Sequence, residues 1–88
     1  MEYVEGHPRY EDPEVAARRL VEIAHGVVEV PDGQIQIEKI KLPFLFQDRA
    51  RPSECIAGLN FAIERGWLWM HDSGTYVKIT PAGAELFA

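Results

Sequence analysis

Cysteine is almost missing from the 88-residue sequence: only Cys55 is present, which excludes an internal disulfide and leaves no second thiol with which to begin a zinc motif. Long apolar runs are missing as well. Stretches such as Leu42 to Phe46 and Trp67 to Met70 fall far short of the ~18 residues a membrane-spanning helix needs. The first residues include Glu2 and Glu5 instead of a basic stretch followed by an apolar one, so a reducing, cytoplasmic setting is the expectation. His7, His25 and His71 are too scattered along the chain to compose a metal motif. There is no Gly-rich phosphate loop, and no Ser, His and Asp set or carboxylate pair at a selective spacing. The sequence therefore reads as that of a binding protein, with no catalytic residue, cofactor or metal expected.

Basic residues are also in short supply. Nine Lys and Arg face fourteen Asp and Glu, for a net charge of −5, which argues against nucleic acid because phosphate neutralisation supplies most non-specific affinity. The distribution tempers this. Residues 1–30 hold seven acids against three bases, whereas residues 39–78 hold six bases against four acids. What is plentiful is apolar content: 47% hydrophobic residues suffice for one core, as domains run from roughly 50 to 250 residues. A domain of this size buries only about 60 to 65% of its unfolded-chain surface, so a homodimer or another partner would contribute to stability.

Residues 1–11 are polar, contain Gly6 and Pro8 and lack periodicity, and read as a flexible N-terminal arm preceding a domain over 12–88. Asp12 is a good N-cap and Pro13 suits the first helical position. Ala16, Leu20, Ile23, Ala24 and Val27 then recur at the helical period, with Gly26 as the natural stop. Pro31-Asp32-Gly33 is a turn, and Gln34 to Ile37 alternate as a short strand. A complete hairpin over 27–37 is the alternative. Pro43 points to a short helix starting near it, in preference to one continuous from Glu38. From Pro52 or Ser53 a further helix buries Cys55, Ile56, Leu59, Ala62 and Ile63 and ends at Gly66. Strands over 67–71 and 75–80 flank Asp72-Ser73-Gly74, and Thr80 with Pro81 opens a last helical turn.

This order resembles a winged helix-turn-helix domain, an α+β, mostly helical fold of three helices and a small antiparallel wing. Two local patterns carry the likeness. Ile56, Leu59, Ala62 and Gly66 followed by Trp67-Leu68 look like the end of a recognition helix, and Tyr76-Val77-Lys78-Ile79-Thr80-Pro81-Ala82-Gly83 is similar to the wing tail of MarR- and PadR-type regulators. The resemblance implies a small regulator binding double-stranded DNA, with the second helix of the motif in the major groove.

On that reading Arg49, Arg51 and Lys78 contact phosphates, with Lys39 and Lys41 extending the patch, while Ser53 and Asn60 are the outward side chains suited to base edges. The outward face is expected to comprise Ser53, Glu54, Ala57, Gly58, Asn60, Phe61 and Glu64. Asp48 and Glu54 are the acids placed to neutralise the two arginines, and the lysines would equally defend a strand edge. The second class is a protein-interaction or dimerisation module using Ala57, Phe61, Trp67 and Trp69. Trp67 and Trp69, two apart in a strand, share one face, and either they or Leu68 and Met70 pack on the core.

Overall fold

Asp12 starts the first helix as its position predicts. Residues 10–27 and 33–86 are described by the computed structural model, and in it Asp12 Oδ1 accepts a 3.0 Å hydrogen bond from the Glu14 N–H. With Pro13 at the first helical position, α1 runs Pro13–Val27 and buries Ala16, Ala17, Leu20, Val21, Ile23 and Ala24. It continues one residue past the expected stop at Gly26. The rival hairpin over 27–37 falls in part on 28–32, outside the described residues.

Strand β1 is short, Ile35–Gln36, and leads directly into α2, Ile37–Leu42. The helix expected to begin near Pro43 therefore begins six residues earlier, and Pro43 continues it in place of opening it. Leu42 is helical at φ −63° and ψ −47° despite preceding a proline. The ladder adapts by widening: Pro43–Gln47 forms a π-turn in which the Asp48 N–H reaches the Pro43 carbonyl at 3.1 Å. Pro43 itself brings no N–H to the ladder, and the widened turn starts at it.

The third helix, α3, spans Pro52–Glu64. Arg51 is extended at φ −87° and ψ 152°, and its N–H donates to Glu54 Oε1 at 2.8 Å, half of a capping box. At the other end Gly66 adopts φ 77°, and Gly66 and Trp67 donate to the carbonyls of Ile63 and Ala62 at 3.0 and 2.8 Å. These two bonds make the glycine-terminated motif that the Gly66 signal predicts.

The rotation of α3 differs from the expected one. Its buried residues are Cys55, Gly58, Leu59 and Ala62, while Ile56 is 59% exposed. Gly58, expected outward, faces α1: a Cβ built there would lie 2.8 Å from the Ala16 Cβ and 2.9 Å from the Leu20 Cδ1. Close helix packing at small residues outweighs the larger hydrophobicity of Ile56, and the whole face turns accordingly.

Strands β2, Leu68–Met70, and β3, Tyr76–Ile79, form the expected hairpin. The antiparallel sheet has the order β1-β3-β2, with Ile35 opposite Val77 and Trp69 opposite Lys78. Ile35, Leu68 and Val77 point inward and complete the core over Ile40, Phe44 and Leu20. Thr80 Oγ1 accepts from the Gly83 N–H at 3.0 Å and opens α4, Pro81–Glu85, with Pro81 at its first position. Across its described residues the chain is thus a single α+β domain, mostly helical, of three main helices and a small three-stranded sheet. Tyr10 and Glu11 are the only described residues of the expected arm. Tyr10 belongs to the core, its ring 4.7 Å from that of Phe44.

Candidate functional site

Between the π-turn and α3 the chain makes a short link whose geometry is held from behind. Asp48 is 12% exposed and takes two bonds from the Arg19 guanidinium, at 2.5 Å from Nε and 3.1 Å from Nη2. The Tyr10 hydroxyl donates to the same carboxylate at 2.9 Å. Hydrogen bonding to Asp48 raises the Arg19 pKa further above its usual value, as a bidentate charge-assisted pair does. Arg19 also pairs with Glu22 at 3.1 Å.

The next residue, Arg49, is exposed and has φ 59°, a left-handed conformation that few non-glycine residues adopt. Arg51 is likewise exposed at the N-cap of α3. The two acids placed by sequence to neutralise these arginines are committed elsewhere, Asp48 to Arg19 and Tyr10 and Glu54 to the Arg51 N–H. Among the described residues no carboxylate makes an ion pair with Arg49 or Arg51.

Along α3 the exposed residues Ser53, Ile56, Ala57, Asn60 and Glu64 are spaced by three, one, three and four, and so lie on one face. No Lys or Arg occurs anywhere in Pro52–Glu64. Ser53, Ala57, Asn60 and Glu64 therefore stand where sequence placed them, with Glu54 half-exposed at the edge. Gly58 and Phe61 leave this face and Ile56 joins it. Phe61 is half-buried, its ring 5.8 Å from that of Trp67 and covered at 4.7 Å by the Arg65 guanidinium. Ile56 was missed because periodicity alone assigns a β-branched aliphatic to the core. A hollow of about 240 Å³ bordered by Tyr10, Glu11, Arg51, Ser53, Glu54 and Ala57 flanks the start of this face.

The remaining candidates fall on other surfaces. Trp67 and Trp69 do not share a face. Trp67 precedes β2, donates its N–H to the Ala62 carbonyl and is buried, while Trp69 within the strand is 46% exposed. Lys78 lies opposite Trp69 on the outer side of the sheet, its ammonium 5.9 Å from the ring centre. His71 and Tyr76 stack beside them with centroids 4.7 Å apart. Lys39 is exposed on α2, and the positive charge of Lys41 is felt at the Cys55 thiol. Burial nevertheless dominates and pushes that thiol upward, as expected of a small hydrophobe on the inner stripe.

Among the described residues no group of three or more His, Cys, Asp and Glu is arranged to hold a metal, and no helix is long and apolar enough to cross a membrane. Compared with protein-family models, curated proteins and solved structures, the chain matches none.

Proposed function

We propose that the chain is a winged helix-turn-helix module that binds double-stranded DNA, with α2 and α3 as the helix pair, α3 in the major groove and β2-β3 as the wing. The observation that carries this reading is that Arg49 and Arg51, whose side chains make no ion pair among the described residues, stand at the head of a helix whose exposed face bears no charge from Ser53 to Asn60. Cations at the rim position a duplex through its phosphates, and uncharged donors and methyl groups between them face the base edges. The chain's net charge of −5 is offset by its distribution, since residues 39–78, which include most of the helix pair and of the wing, hold six bases against four acids.

The alternative use of the same fold, capture of a protein partner through Ala57, Phe61, Trp67 and Trp69, draws less support. Trp67 is buried and Phe61 half-covered, which removes two of its four anchors from the surface. Titration of a labelled mixed-sequence duplex at several salt concentrations tests the proposal. Binding should be detectable at low salt and should weaken linearly in a plot of log K against log salt. Absence of binding at low salt overturns it.

A further inference from the structure

We infer that the exposed face of α3 reads A·T base pairs, through thymine methyl groups as well as adenine edges. This rests on the duplex-binding reading above and names what the same site selects. The observation behind it is the turned-out Ile56, a large aliphatic side chain 59% exposed on a helix whose opposite face is fully packed. Next to it on the same face stands Ala57, also exposed, and Ser53 and Asn60 bracket the pair one turn to either side.

In the major groove each base pair presents a distinct pattern, and the thymine C5-methyl is its only apolar element. An alanine or isoleucine side chain has nothing to offer the polar edges of guanine or cytosine. Against a thymine methyl it excludes water from two apolar surfaces. Asn60 carries the carboxamide that bonds adenine at N6 and N7 together, while the usual partners of guanine, Arg and Lys, are absent from Pro52–Glu64. The nearest arginines, Arg49 and Arg51, precede the helix and are left to the phosphates. Between Ser53 and Asn60 the face therefore holds a carboxamide matched to adenine and two methyl-bearing side chains, and no guanine reader, while Glu64 is exposed one turn further on, at the helix end away from Arg49 and Arg51.

Selection from a random duplex library with the full chain, followed by thymine-to-uracil replacement in the selected site, tests this. Uracil lacks only the C5-methyl, so each methyl buried against Ile56 or Ala57 should count for about fourfold in affinity, the equivalent of ~0.8 kcal/mol per buried carbon group. The variant Ile56→Ser, at an exposed position that packing does not require, should narrow the difference between thymine and uracil duplexes to what Ala57 contributes. Asn60→Ala should relax the choice at one A·T position. Selected sites centred on guanine, or equal affinity of the wild-type chain for thymine and uracil duplexes, overturn the inference and leave duplex binding standing. Absence of binding to every duplex at low salt removes the duplex reading and this inference with it.

Discussion

Ala16 and Gly58 meet where α1 crosses α3, so closely that a Cβ on residue 58 would lie 2.8 Å from the Ala16 Cβ and 3.1 Å from the Ala16 carbonyl carbon. The contact fixes the rotation of α3, and through it decides which side chains reach solvent. Gly58→Ala should destabilise the domain, by about 1 to 3 kcal/mol from overpacking, less up to ~1 kcal/mol regained from helix propensity. Gly26→Ala is the control, since a Cβ there meets nothing within 4 Å, and it should be neutral or stabilising. Urea unfolding of both variants measures the difference; equal stability would show that α1 and α3 do not approach so closely.

The Thr80 hydroxyl joins two helix ends, accepting from the Gly83 N–H at 3.0 Å and donating to the Gly66 carbonyl. Thr80→Val should cost about 1 to 2 kcal/mol through the lost cap, seen as a drop in Tm of several degrees in a domain of this size, whereas Thr80→Ser should retain most of the stability. Gly83→Ala should be worse than either, because its Cβ would fall within 2.1 Å of the Trp67 carbonyl oxygen, a backbone atom that cannot step aside.

Much of this was legible in the sequence because caps and turns are local chemistry. Asp12 with Pro13, Gly66, Asp72-Ser73-Gly74 and Thr80-Pro81 each mark a boundary by a backbone requirement that the neighbouring residues alone reveal, and the structure has an element edge at each. What was not legible depends on partners distant in sequence. Gly58 and Ile56 exchange faces because of Ala16 and Leu20 on another helix, and Trp67 is buried because the chain bends before β2. The commitment of Asp48 to Arg19 and Tyr10, 29 and 38 residues away, has no local signal either. That commitment leaves Arg49 without its nearest acid.

Arg49 separates stability from binding. Its φ of 59° suits glycine better than arginine, a strain of order 1 kcal/mol. Arg49→Gly should therefore leave the domain as stable or more stable while weakening duplex binding and lowering the magnitude of the salt slope by about one unit. Arg51→Ala should lower the slope similarly. Loss of stability without change in slope in Arg49→Gly would assign the residue to the fold alone.

Cys55 offers a probe of the native state. Buried and with its thiol pushed above the usual pKa by burial, it holds little thiolate at neutral pH. Alkylation by iodoacetamide should be slow in the folded protein and should accelerate as denaturant opens the domain. Rapid reaction of the native protein at neutral pH would contradict the burial of the α3 inner stripe.

The central claim is that α3 and the link before it meet DNA, and mapping amide shifts in a 1H-15N spectrum during titration with a duplex tests it most directly. The predicted result is a set of perturbations concentrated at Arg49, Arg51, Ser53, Ile56, Ala57 and Asn60, on the exposed side of the elements that carry them. Perturbations confined to Trp69, His71 and Tyr76 on the outer sheet face, or none at low salt, would contradict the account.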